Sequence, residues 1–447
     1  MKKIRYIILI LSFWSCLKEE AIPVVVDFEY EVINNDYSVP VSIVFFNRTE
    51  GADQYEWYFE GANLSRSVDR NPGIVKFNKK GNYTIKLTAT NIDGSIDSKI
   101  LKIKIEAPLI LDFTATNVIN TFSPATYTVT NLSKGATTYK WLFEGGTPLS
   151  SRDQNPKEIV FKEPGEHKIE LEISNGRETY TKNTSVIVAP YLSTDFEYTI
   201  AFTNDDYQIP AKVNFTSTSI STTDYIWTIE GANITTSQDK DVEVVFNTIG
   251  EQKITLTASN GKEIKSVSKN ITFLKNTNLR EFKDIKLGIN TAHKNNSVGS
   301  FFSISSRKVY TKQEITPEIG KTIDLVFYGL NSTYTRNQFV SPNQLSKTPF
   351  DNIQKPKTTT FINTQELCNC PDSLTKKQFD EMIDDAQLTK LTLDTEDNLY
   401  FDNIVVPRII LFKTQEGKKG AIKIKEYNSN GENSYILVDI KVQKEKR

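Results

Sequence analysis

The sequence predicts an all-β chain: three tandem β-sandwich units, then a distinct C-terminal β-domain with a short helix. Three observations predict it. An aromatic stretch recurs as Tyr55-Glu56-Trp57-Tyr58-Phe59-Glu60-Gly61, Tyr139-Lys140-Trp141-Leu142-Phe143-Glu144-Gly145 and Tyr225-Ile226-Trp227-Thr228-Ile229-Glu230-Gly231, its tryptophans 84 and 86 residues apart. A second, glycine-led stretch follows each tryptophan by 24, 24 and 23 residues, at Gly81, Gly165 and Gly250, and each unit then closes on Asn91, Asn175 or Asn260. After Leu274 this pattern stops, and the rest of the chain carries alternating apolar runs but no tryptophan.

The elements can be taken in chain order. Lys2, Lys3 and Arg5 precede an apolar run from Tyr6 to Trp14. The run is too short to span a bilayer, which takes about 20 residues. It has the form of a secretory signal. The polar switch at Leu17-Lys18-Glu19-Glu20 follows directly on Ser15-Cys16. This resembles a bacterial lipoprotein signal, which implies a signal peptide over 1–15, acylation of Cys16 and a tether over 16–26. A plain secretory signal with an unmodified cysteine is the alternative. Glu19-Glu20 resembles the tag that sends lipoproteins to the outer face of the outer membrane, which implies exposure at the cell surface.

In Tyr-x-Trp-x-Phe the rings alternate, so they share one face of a strand. A tryptophan so placed plugs the core of an immunoglobulin-like sandwich. The alternative, a sugar-stacking platform, would need the same ring on the outer face. The strand after Gly81 alternates too, with Tyr83, Ile85 and Leu87 expected inward. A period near 85 residues lets each unit bury its own core, unlike the short repeats of a solenoid. The pattern resembles the PKD (polycystic kidney disease) domain family through its W-x-F…G-x-Y-x-V-x-L-x-x-x-N signature. The expected units are 27–107, 108–190 and 191–274. Glu60-Gly61-Ala62, Glu144-Gly145-Gly146 and Glu230-Gly231-Ala232 stand where that family usually has Gly-Asp-Gly, which puts metal binding at that turn in doubt. The resemblance implies spacers or weak binding modules attached to carbohydrate-active proteins.

Lys275–Asn278 reads as a polar connector, and the terminal domain is expected over 279–447. Its expected strands are 282–289, 300–305, 322–328, 391–393, 405–412, 421–427 and 435–442. A helix is expected from Thr375 to about Ala386, opened by the capping box Thr375-x-x-Gln378 and burying Phe379, Met382 and Ile383. Residues 338–371 read as a long functional loop. Cys368 and Cys370 read as two loop thiols, since a bridge across one residue would be strained. Gly299-Ser300-Phe301-Phe302-Ser303, Lys308-Val309-Tyr310, Ile323–Tyr328 and Gly420–Ile424 resemble, in that order, the terminal domain of surface glycan-binding lipoproteins of polysaccharide-utilisation systems. That resemblance implies a polysaccharide ligand, including laminarin-type β-glucans, and an outer-membrane glycan importer as partner.

Composition narrows the function. The 54 Lys+Arg and 55 Asp+Glu give a net charge of −1, so nothing favours a nucleic-acid partner. The two histidines, His167 and His293, fall in different units, and no metal or cofactor motif is present. The sequence also lacks a Gly-x-Ser-x-Gly elbow. Asp384-Asp385 and Glu396-Asp397 read as solvated acidic pairs rather than a catalytic dyad. The expectation is therefore a non-enzymatic protein. Sugar binding needs rings and hydrogen-bonding side chains together. Two stretches interleave them: Asn290, His293 and Asn295, then Tyr328, Asn331, Tyr334, Arg336, Asn337 and Phe339. The second is the preferred candidate, with an ordinary surface hairpin as its alternative. Two other functions stay open: an adhesive or structural protein on a PKD stalk, and a divergent glycoside hydrolase.

Overall fold

The computed structural model describes residues 22–367, 373–397 and 399–447. The signal segment, Cys16, Cys368 and Cys370 lie outside the described residues. The fold is all-β, as expected.

Each of the first three units is two facing antiparallel sheets. In the first, Arg66–Ser67, Gln54–Phe59, Gly81–Thr90 and Ile96–Ile105 form one sheet in that order, and Phe28–Val32, Val41–Asn47 and Ile74–Phe77 the other. The second and third units repeat this order, with one added short strand, Gly146–Thr147, in the second.

The alternation has the physical consequence the pattern implies. Trp57, Trp141 and Trp227 are wholly buried, each opposite the leucine of the glycine-led strand: Leu87, Leu171 and Leu256. Each meets a phenylalanine edge-on at 5.1 Å, from Phe28, Phe113 and Phe196. A buried indole N–H must find an acceptor. Here it donates to the backbone carbonyl of Asp69, Asp153 or Asp239 at 3.1, 3.1 and 2.9 Å. That carbonyl is held by a Ser-x-Asp turn, in which Ser67, Ser151 and Ser237 accept the aspartate N–H. The tryptophans are core plugs and not exposed platforms.

The closing asparagines are turn devices. Asn91 accepts from the Ser95 N–H, Asn175 from those of Arg177 and Glu178, and Asn260 from those of Lys262 and Glu263. Gly61, Gly145 and Gly231 sit at φ near +70°, and a Cβ there would run into Tyr83, His167 and Gln252 respectively. The glycine of the altered turn is therefore required by both backbone and packing.

One boundary moves. Residues 16–26 were expected as a tether, yet Val24 and Val26 are buried in the first core, and the Val26 N–H donates to Asp97 at 2.9 Å. The alternation of apolar and exposed positions starts before Asp27, so the first sandwich does too.

The joints between units share a construction. A basic side chain from the downstream unit docks on the loop after the first strand of the upstream unit. The Arg177 guanidinium lies 3.9 Å over the Tyr37 ring. Lys262 donates to the carbonyls of Phe122 and Pro124. At the last joint Asp205 takes both Arg280 and Arg307, Asp206 takes Lys444, and Arg307 also covers the Phe202 ring at 3.9 Å. The polar connector is tied down as well: Asn278 is buried and bonds Asp385 and both backbone groups of Glu445. Burial pushes the Asp205 carboxyl up, but the two guanidinium groups outweigh it and leave it below the usual range. Asp205→Ala is expected to loosen this joint, so that limited proteolysis of the native chain at 275–278 accelerates several-fold. An unchanged cleavage rate would show that the ion pairs do not hold the joint.

The terminal domain packs a five-stranded sheet on a four-stranded one. The first runs Leu279–Gly288, Tyr435–Gln443, Lys419–Asn428, Arg408–Lys413, Thr360–Ile362; the second runs Lys308–Tyr310, Phe301–Ser303, Leu325–Gly329, Asn337–Val340. Their facing sides make the main core, including Phe302, Phe327, Phe339, Phe412, Ile422 and Ile440. Their outer faces are covered too. Phe379, Met382 and Leu388 pack on Ile409 and Leu411, while Leu345 and Phe350 pack on Phe301 and Val326. Strands buried on both faces read as continuous apolar runs.

Three expectations in this domain are corrected. The helix expected over 375–386 is two short ones, Lys376–Asp380 and Ala386–Lys390; the Thr375 capping box is present, but Ile383 is 82% exposed because the chain leaves the helix before it. Residues 391–393 form no strand, although Leu391 and Leu393 are buried. Of the stretch expected as a loop over 338–371, the described part, 338–367, is built rather than open, and contains the 3-10 helix Pro342–Lys347 and the strand Thr360–Ile362.

Candidate ligand-binding site

The edge strand Asn337–Val340 and the 3-10 helix after it form one wall of a cleft of about 150 Å3. The opposite wall is made by Glu396, Asp397 and Tyr400. Two buried side chains hold that wall in place. Asn363 accepts from the Phe339 N–H at 2.8 Å and donates to the carbonyls of Phe339 and Asp397. Asp397 accepts from the Thr364 N–H and hydroxyl and from the Leu399 N–H. Asn337 and Phe401 exchange backbone hydrogen bonds at 2.8 and 2.9 Å. The wall is therefore preorganised by ordinary amide and carboxylate bonding.

Polar groups of every kind converge on this cleft. Gln344 donates to the Glu396 carboxylate at 3.1 and 3.2 Å, and Lys347 donates to the Gln344 carbonyl at 3.3 Å. Gln338, Ser341 and Tyr400 complete the lining. Tyr400 is 39% exposed, and the Arg336 guanidinium lies 3.9 Å over its ring. Tyr328 supports it from below, with centroids 6.2 Å apart. An exposed ring beside amide, carboxylate and ammonium groups offers both stacking and hydrogen bonding to a polar ring-shaped ligand.

The residues expected to bind from sequence are scattered relative to this cleft. Tyr334, placed there as a loop ring, is wholly buried; its hydroxyl lies 2.7 and 2.8 Å from the carbonyls of Asn428 and Tyr435, and its ring meets Tyr427 at 5.1 Å. It is a core side chain and cannot stack on a sugar. Phe339 is likewise buried and forms the cleft floor against Phe361. Asn331 is exposed, but it accepts from the backbone and hydroxyl of Thr333 and does not line the cleft. Arg336 and Tyr328 reach it only through Tyr400. Asn290 and His293 are buried, and His293 lines a different concavity. Sequence reasoning missed Tyr400, Gln344, Lys347 and Glu396. It also took Asp385 and Asp397 for solvated charges, whereas both are buried and hydrogen-bonded. The available signal was the stretch Glu396–Phe401, which brings two acidic residues and two rings within six positions.

Among the described residues, no group of three or more His, Cys, Asp or Glu side chains is placed to hold a metal ion, and no helix is long and apolar enough to cross a membrane.

Against known families, the PKD domain model matches residues 111–188. Those residues are a PKD domain. The match covers the second unit from before its first strand to the end of its last, and the sheet order of this PKD domain recurs in the units on either side. No curated protein matches the chain. Among solved structures, the chain is similar to one concerning the host cell surface retention of a 1.5-MDa bacterial ice-binding adhesin, at 9% identity and TM-score 0.27, over 57% of this chain and 98% of that one. It is also similar to extracellular cadherin domains 3–6 of protocadherin gamma B2, at 11% identity and TM-score 0.28, over 60% and 78%. A third is the fibronectin(III)-like modules of Clostridium thermocellum CbhA, at 13% identity and TM-score 0.21, over 36% and 95%. At these scores the likenesses carry nothing beyond themselves.

Proposed function

We propose that the chain is a non-enzymatic glycan-binding lipoprotein of the cell surface. In this reading the terminal cleft captures a polysaccharide, of the laminarin-type β-glucan class, and the three sandwiches space it from the outer membrane. Delivery to an outer-membrane importer follows from the same reading. The single observation that carries it is the Tyr400 cleft, where an exposed ring stands beside Gln338, Gln344, Lys347 and Glu396. Sugar rings present one apolar face and a fringe of hydroxyls, which this lining can match. A shallow site of this kind binds in the micromolar to millimolar range, about −4 to −8 kcal/mol. Electrophoresis of the full chain through gels containing laminarin is expected to retard it. Free migration through laminarin and through other neutral polysaccharides would remove the glycan reading. Release of reducing ends from laminarin would instead reveal a hydrolase.

A second reading, a structural or adhesive protein, is favoured by the docked joints, which suit a stalk. It predicts no retardation and retained self- or surface-attachment.

The membrane anchor rests on Cys16. Cys16→Ala is expected to move the protein from the membrane fraction to the soluble fraction almost completely, since a single unacylated segment gives no lasting attachment. Retention of Cys16→Ala in the washed membrane pellet would contradict the anchor.

A further inference from the structure

We propose that the terminal domain holds a second ligand site, which takes a small carboxylate bearing one flat apolar ring. The site is a concavity of about 140 Å3, distinct from the Tyr400 cleft and independent of the glycan reading. That volume is close to the roughly 150 Å3 of an apolar cavity known to admit benzene. Three rings make its floor. His293 stacks on Phe301 at 4.4 Å, and Phe350 stands edge-on to both, at 5.0 and 5.2 Å. Ile315 and Ile353 extend the apolar wall.

The polar atoms of the floor are already committed. His293 Nδ1 accepts the Ser300 N–H at 3.2 Å, and the ring also hydrogen-bonds the Tyr310 backbone. Burial, and then the nearby Lys312 ammonium, push the imidazole down to about 4, so it is neutral at physiological pH. A pyranose placed here would find no floor partner for its hydroxyls, whereas a flat hydrocarbon ring needs none. The rim is different. Lys294 and Lys312 line it on exposed stems, with Asp351 as the one acidic group. Lys312 and Asp351 pair at 2.9 Å, which leaves one ammonium in excess at the mouth. An apolar floor under a net cationic rim selects an anion with an apolar body.

The chain's two histidines make the test clean, because His293 reports on the site and His167 lies in another unit. Imidazole NMR signals of the full chain are followed during titration with benzoate, and are assigned with His293→Gln. The expected result is a saturable shift of the His293 signals with His167 unmoved. Lys294→Met should weaken benzoate about tenfold, as should replacing benzoate by uncharged benzyl alcohol, each a loss of one decade in Kd. Glucuronate should leave His293 unmoved. An absent or non-saturable benzoate shift would overturn the site. Equal affinity for benzyl alcohol, or for Lys294→Met, would overturn the carboxylate. A glucuronate shift as large as that from benzoate would overturn the flat-ring requirement and make this a sugar subsite.

Discussion

Tyr334→Ala is expected to destabilise the terminal domain by about 3–5 kcal/mol, the cost of truncating a fully buried aromatic ring. The ring is wholly enclosed, and its single O–H is shared between two strand-end carbonyls, those of Asn428 and Tyr435. Those carbonyls belong to the two strands flanking the turn at 429–434, so the phenol staples a hairpin of the larger sheet to the smaller one. Burial pushes the phenol well above its usual range, which keeps it a donor at any ordinary pH. Tyr334→Phe keeps the ring and loses only the donor, so a smaller cost of about 1–2 kcal/mol is expected. Calorimetric unfolding separates the two. For a domain of this size about 2–4 °C accompanies each kcal/mol, so the alanine variant should lower its transition by roughly 10 °C. A Tyr334→Ala chain that unfolds at the wild-type temperature would contradict the core assignment.

Trp141→Ala is expected to cost the PKD domain a similar 3–5 kcal/mol. It removes the plug between Phe113, Phe143 and Leu171 and leaves the Asp153 carbonyl without its indole donor. The loss should fall on one unfolding transition, because each sandwich has its own core cluster. Glycan retardation should be unchanged. A stable variant that no longer binds would turn the tryptophan into a binding platform and reverse the reading of the repeats.

The repeats were legible for a physical reason. Their sheets face a core on one side and water on the other, so Tyr-x-Trp-x-Phe announces which face is inward. The terminal domain hides that signal. Several of its strands are covered on both faces, and Leu325–Gly329 is buried at every position. Around Tyr334 the neighbours Asn331, Thr333, Thr335 and Arg336 are polar, so the stretch reads as a loop with an incidental ring. What decides the matter is a tertiary feature, a backbone turned to φ +52° at Tyr334 that carries the ring under Tyr427. Ile383 misled in the opposite way: it continues an apolar helical period, but the helix has ended three residues earlier. Tyr400 was overlooked because its value comes from Arg336 and Gln344, which are distant in sequence and adjacent only in the fold.

The central claim is that the Tyr400 cleft is where the chain meets a glycan, and Tyr400→Ala tests it most directly. Calorimetric titration of the full chain with laminarin should show affinity falling by about 1–2 kcal/mol, roughly five- to thirty-fold, the worth of one good aromatic contact with its buried area. Thermal unfolding should be nearly unchanged, since the ring is partly exposed at the cleft mouth. Wild-type affinity in a folded Tyr400→Ala chain would contradict the claim and move the binding site away from this cleft.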